Sequence, residues 1–211
     1  MTHTGRGRKY TIPRSGGRWP ARMPEHPGIH GREAWKHPDA IAWRRLAREK
    51  LEPRHPVVLV TPCSNVKPYP RSPSSAKIRG VLRRLGLWDP EGPGLYGAPR
   101  GVEWIYLSDL LGVVPYDKAH EYPACCYEFP PDLAMDGMAG LVIPEIRGVL
   151  ERYLSRGRAR TVVLYLPRLY LRVALPVVER SGVDIRVVRY HIFWGHRELE
   201  KELRGVIGEM R

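Results

Sequence analysis

The stretch Thr61-Pro62-Cys63-Ser64-Asn65-Val66-Lys67-Pro68-Tyr69-Pro70-Arg71-Ser72-Pro73-Ser74-Ser75 gathers a thiol, an ammonium, a phenol and several hydroxyls. Groups of these types can supply a nucleophile and the charge that activates it. Lys67, held near Cys63 by a tight turn, would lower the thiol pKa and enlarge the thiolate fraction. A helix beginning near Ser74 would add backbone N–H donors for an anion. The alternative is a structural Cys63 beside a proline-stiffened turn, with Lys67 solvated.

Other polar groups are weaker candidates. His120-Glu121, following Asp117-Lys118, would provide an imidazole for proton transfer, or would be a solvated pair. Cys125 and Cys126 read as two small buried residues rather than a vicinal disulfide. Three cysteines without Cys-x-x-Cys or His-Glu-x-x-His argue against a metal, and no Gly-rich phosphate loop is present. No cofactor is expected.

The net charge is +13, and more than half of the excess falls in residues 1–56. Such a concentration suits phosphate binding. Arg6, Arg8, Lys9, Arg14, Arg18 and Arg22, interleaved with Tyr10 and Trp19, would hold RNA phosphates and stack a base, and Arg71 would join them from the loop. The alternative is an arm packed on its own body. No apolar run is long enough to span a membrane, and the N-terminus has no apolar leader, so a cytoplasmic protein is expected.

These groups need elements to position them. Residues 1–38 show no periodicity and read as an irregular basic arm, with residues 39–211 as the folded domain. Asp39 is expected to cap a helix over Ala40–Leu51, with Ile41, Leu46 and Ala47 inward and Arg44, Arg45 and Arg48 outward. Val57–Val60 reads as a buried strand, Val102–Leu107 as a second, Thr161–Leu166 as a third and Asp184–Tyr190 as a fourth. Helices are expected over Ser75–Leu85, Leu141–Ser155, Leu169–Arg180 and Trp194–Met210. Leu199, Leu203, Val206 and Met210 face inward in the last, and Trp194 and His196 serve packing at its start. Pro144 is tolerable only in a first turn. Trp88–Gly101 reads as a surface loop and Ser108–Gly137 as a long connection. Strand–helix alternation predicts an α/β fold with a four-stranded, mostly parallel sheet, and its site beyond the carboxyl ends of the strands.

Pro62-Cys63-x-x-x-Lys67-Pro68-Tyr69-x-x-Ser72 resembles the signature of the archaeosine synthase family, tRNA-modifying enzymes related to archaeal tRNA-guanine transglycosylase. Ser108-Asp109-Leu110-Leu111-Gly112-Val113-Val114-Pro115 and Glu121-Tyr122-Pro123-Ala124 resemble a second segment of that family, so the likeness covers about residues 37–190. It implies a uracil-DNA-glycosylase-like, three-layer sandwich. It also implies an archaeal transferase that converts the nitrile of a cyano-deazaguanine base in tRNA toward an amidine by adding an amine, lysine in the family. Cys63 would then form a thioimidate and Lys67 would stabilise the thiolate or protonate the nitrile nitrogen. Tyr69, Ser72 and Ser75 would donate hydrogen bonds to base or phosphate. Equally, Lys67 would orient the substrate and Cys63 would be structural. The family signature continues Ser-x-x-His, whereas this chain has Ser75 there. The length leaves no room for the transglycosylase and terminal RNA-binding domains of full-length archaeosine synthases, so a single-domain version is expected. The implied partners are tRNA, a further tRNA-modifying enzyme and a second copy of the chain. A non-catalytic RNA-binding subunit is the alternative function, and base excision rests on fold analogy alone.

Overall fold

The computed structural model describes residues 31–64, 66–121, 138–191 and 194–210. The arm residues Arg6, Arg8, Lys9, Arg14, Arg18 and Arg22 lie outside these, as do Cys125 and Cys126. The described strands are β1 (Val57–Pro62), β2 (Trp88–Asp89), β3 (Ala98–Pro99), β4 (Glu103–Ser108), β5 (Gly112–Pro115), β6 (Thr161–Leu164) and β7 (Asp184–Val187). Five of them form one sheet in the order β5-β4-β1-β6-β7. β1 is parallel to β4 and β6, β6 is parallel to β7, and only β5 runs antiparallel.

The centre of that sheet is apolar by sequence and buried in fact. Val57, Val58, Leu59 and Val60 are at most 1% exposed. Side chains of this size each contribute about 1.5–3 kcal/mol on burial. β5 is a fifth strand, where the sequence predicts four strands and a long connection. Gly112, at φ +75°, turns the chain back directly after β4, and a Cβ there would meet Val149 Cγ1 at 2.9 Å. Gly-Val-Val-Pro is too short to show an alternating pattern. Trp88–Gly101 is likewise no mere loop, because β2 and β3 pair antiparallel and Trp88 is buried.

The helices are α1 (Gly31–Lys36), α2 (Pro38–Lys50), α3 (Pro73–Arg84), α4 (Ala139–Arg156), α5 (Arg168–Arg180) and α6 (Gly195–Glu209). α4 packs on α2 and α5, and α3 packs on α6. In α3, Ile78, Val81 and Leu82 form the expected buried stripe. α1 lies inside the stretch predicted to be irregular. His37, not Asp39, caps α2, its Nδ1 accepting from the Asp39 N–H at 3.3 Å. The inner face of α2 is Ala40, Trp43, Arg44 and Ala47, while Ile41 and Leu46 are exposed. Arg44 therefore points inward, against expectation. It donates to the Leu110 carbonyl at 2.7 Å and the Trp35 carbonyl at 2.8 Å, with Glu145 at 3.7 Å. Those acceptors replace the water lost on burial. α4 starts at Ala139, so Pro144 falls in its second turn and forfeits a helical hydrogen bond. Met210 is exposed, as a fraying last turn leaves it.

At the amino edge of the sheet, Arg54 clamps two carboxylates. It donates to Glu103 at 3.1 Å and pairs with Asp117 at 2.9 Å. A cavity of about 240 Å³ lies there, lined by Arg54, Glu103, Trp104, Tyr116 and Asp117 among others.

Candidate functional site

The chain leaves β1, crosses through α3 to β4 on one side, and later reaches β6 and β7 on the other. The order reverses between β1 and β6, and in such sheets the crevice that binds ligands lies beyond the carboxyl ends of the strands at that point. Cys63 follows β1 there, its backbone N–H donating to the Leu107 carbonyl at 3.0 Å. Tyr170, in the first turn of α5, reaches it from the β6 side, with Oη 3.3 Å from Sγ. The contact spans the crevice.

Asp109, one residue past β4, is buried beside this pair. Burial first, and the Asp109 carboxylate second, push the Cys63 thiol above its usual pKa; the opposing pull of Lys67 and of the Tyr170 hydrogen bond does not prevail. Lys67 thus acts in the expected direction but is outweighed. Removing a thiolate from water beside a carboxylate outweighs one nearby ammonium. Tyr170 and Tyr69 are raised well above the usual phenol value, burial leading in both cases, so both are neutral donors. Burial first, and Cys63 second, raise the Tyr190 phenol as well.

Lys67 is buried, and its loop, which includes a cis Lys67–Pro68 peptide, folds it back. Nζ donates to the Ser64 carbonyl and sits 4.3 Å from the Tyr69 ring centroid. Tyr69 Oη is 3.0 Å from Ser108 Oγ, which accepts from the Leu111 N–H at 3.2 Å. Cys63, Lys67 and Tyr69 are thus brought together, with Asp109, Ser108 and Tyr170 as unforeseen members. Position gave the only signal for Tyr170: it opens the helix after a buried strand.

Ser72 and Ser75 hold the start of α3. Ser72 caps α3, accepting from the Ser75 N–H at 3.1 Å, and donates to Ser75 Oγ at 2.8 Å. Ser75 donates to the Tyr69 carbonyl at 2.9 Å. A hydroxyl has one proton, so Tyr106 Oη, 2.9 Å away, must be the donor to Ser75. The Ser75 oxygen is saturated and buried, with no capacity left for a substrate. The cap likewise uses one of the α3 N–H groups expected to meet an anion. Arg71 ends a short 3-10 turn (Tyr69–Arg71) and is exposed on the surface of the loop. His120 is not brought to Cys63. β5 runs back along β4, so the segment holding Asp117 and His120 follows the amino edge. Among the described residues no group of three or more His, Cys, Asp or Glu is arranged to hold a metal. No described helix is long and apolar enough to cross a membrane.

A family model described as "Domain of unknown function (DUF5591)" matches residues 41–192. The chain is 29% identical over 135 residues to archaeosine synthase subunit alpha of Thermoplasma acidophilum, covering 62% of this chain and 22% of that protein. It is 28% identical over 143 residues to archaeosine synthase subunit alpha of Methanosarcina acetivorans, covering 67% of this chain and 20% of that protein. The chain thus spans about a fifth of the length of the curated relatives it matches. The crystal structure of AF0587, a protein of unknown function, matches with a TM-score of 0.53 at 18% identity, covering 76% of this chain and 48% of that one. That likeness concerns the fold alone.

Proposed function

The chain belongs to the family described as domain of unknown function DUF5591, and from that premise we propose that it acts in archaeosine modification of tRNA, with its chemistry at Cys63 and Lys67. The observation that carries this reading is the side-chain cluster around Cys63. Cys63, Lys67 and Tyr69 meet Asp109 and Tyr170 at the carboxyl edge where the strand order reverses. The relatives' name points to archaeosine modification, and the resemblance of the Cys63–Ser72 signature implies the substrate class, a cyano-deazaguanine base in tRNA. The thiol adds across the nitrile, sulfur to carbon and proton to nitrogen, giving a thioimidate. An amine, lysine in the resemblance, then attacks that carbon and expels the thiol, leaving an amidine. Tyr170 shares a hydrogen bond with the sulfur, and Lys67, whose Nζ is held on the Ser64 carbonyl next to Cys63, would steady developing negative charge. The fold would be the three-layer, uracil-DNA-glycosylase-like sandwich: right-handed crossovers put α3 and α6 on one face and α2, α4 and α5 on the other, matching their pairwise packing.

The saturated Ser75 and the neutral thiol favour a second reading, an RNA-binding subunit that serves a partner enzyme of the same complex. Amine incorporation into cyano-deazaguanine tRNA by wild type, Cys63→Ala and Lys67→Met separates the two. The enzyme reading expects turnover in wild type and loss of at least about two orders of magnitude in Cys63→Ala. Turnover undiminished in Cys63→Ala excludes the thioimidate route. Tight tRNA binding without turnover in any form selects the subunit.

A further inference from the structure

Where β6 and β7 end, beside the Cys63 crevice, the chain presents an exposed ring assembly. Trp194 was expected to pack, yet it is 47% exposed. The His191 ring stacks on it, centroids 3.8 Å apart and planes 19° apart. The Arg189 guanidinium carbon is 5.4 Å from the Trp194 centroid. We propose that Arg189, His191 and Trp194 form a stacking platform for an unpaired RNA base neighbouring the one that enters the crevice, a proposal that rests on the tRNA reading above.

The platform is fixed from beneath. Tyr165 Oη donates to the His191 carbonyl at 2.9 Å, and the Trp194 N–H donates to His191 Nδ1 at 3.4 Å. Tyr190 packs on Tyr165 with centroids 4.9 Å apart, and β1, β6 and β7 run parallel, so the platform and Cys63 lie at the same carboxyl edge of the sheet. A Cβ on Gly195 would approach Tyr165 Oη to 2.7 Å and the Arg189 carbonyl to 2.9 Å, so this fit requires a glycine. Rings held this way lose little entropy when a base arrives.

The local charge selects the occupant. Arg189, Arg197 and Lys77 are exposed around the start of α6, with Glu198 the one exposed carboxylate in its first turn. His196, half-buried there, is held below the usual imidazole pKa by burial and by the positive charges of Lys77 and Arg84. A π-face rimmed by cations suits a base with its phosphates, since every base offers a π-face and every nucleotide a negative charge. It favours no particular base. A duplex, whose bases are already stacked, gains nothing from it.

The test uses the full chain and labelled RNAs: tRNA, a single-stranded oligoadenylate and a duplex of equal length, each with wild type, Trp194→Ala, Trp194→Phe and Arg189→Gln. Trp194→Ala should bind tRNA and the oligoadenylate roughly 5–150-fold more weakly, the range one base stack carries. Trp194→Phe should keep most of the affinity, and duplex binding should change little. Arg189→Gln should weaken binding and flatten its salt dependence. Equal affinities of folded Trp194→Ala and wild type for tRNA overturn the platform and leave the tRNA reading standing, and the exposed tryptophan then belongs to a protein contact. A wild type that binds none of the three RNAs overturns both.

Discussion

In water, a thiol beside a lysine ionises more readily than a free one. At Cys63 that tendency is reversed, because burial and the Asp109 carboxylate act against the thiolate and Lys67 offsets them only in part. The alkylation rate of Cys63 against pH should therefore have its midpoint above the free-thiol value of about 8.5. Asp109→Asn should bring the midpoint down, and Lys67→Met should move it further up. Peptide mass spectrometry after timed iodoacetamide treatment reads all three. A wild-type midpoint below 8.5 would show that Lys67 dominates after all. At neutral pH the sulfur thus keeps its proton, and the thiolate needed for addition to a nitrile is the minority form.

At the scale of elements, α3 is tied to its neighbours by hydroxyls rather than by apolar contact alone. Ser75→Ala would leave Tyr106 Oη buried without its acceptor, at a cost of about 1–3 kcal/mol. Adding Tyr106→Phe removes that stranded group, so the double variant should lose less than the two single losses combined. Chemical denaturation of the four proteins measures this, and strict additivity would mean the hydroxyls do not interact. The same network explains why Ser75→His is expected to cost stability, since an imidazole must displace three hydrogen-bonding partners in a packed interior. The strands β1, β4 and β6 and the stripe of α3 were legible because apolar runs and 3.6-residue spacing are written directly in the chain, whereas β7, Asp-Ile-Arg-Val, alternates and lies half-exposed at the sheet edge. β5 was not legible, since a glycine turn and a four-residue strand have no period. The inner face of α2 was misread because the sequence cannot show that Arg44 finds two backbone carbonyls inside the fold. The loop residues of the site were visible by type, but Tyr170 and Asp109 come from other strands' ends, and only strand order brings them to Cys63.

For the whole molecule, the concentration of basic residues in the first quarter of the chain bears on RNA affinity. If Arg6, Arg8, Lys9, Arg14 and Arg18 contact phosphates, deleting residues 1–30 should weaken tRNA binding and flatten its salt dependence. About 3–6 contacts would change the log–log slope by roughly 0.7–0.9 each. Equal slopes for the full and shortened chains would remove the arm from RNA recognition. The register of the sheet has a different consequence, in time rather than in energy. β1 pairs on one side with β4 and on the other with β6, as Leu59↔Trp104 and Leu59↔Val163 show. Roughly a hundred residues separate the last two, which at synthesis rates of about 5–20 residues per second means ~5–20 s of elongation. Throughout that interval the most apolar strand of the protein has an unpaired edge, open to aggregation or to a chaperone. The half of the crevice that holds Tyr170 is the last to be translated, so Cys63 acquires its partner only once β6 has closed that edge.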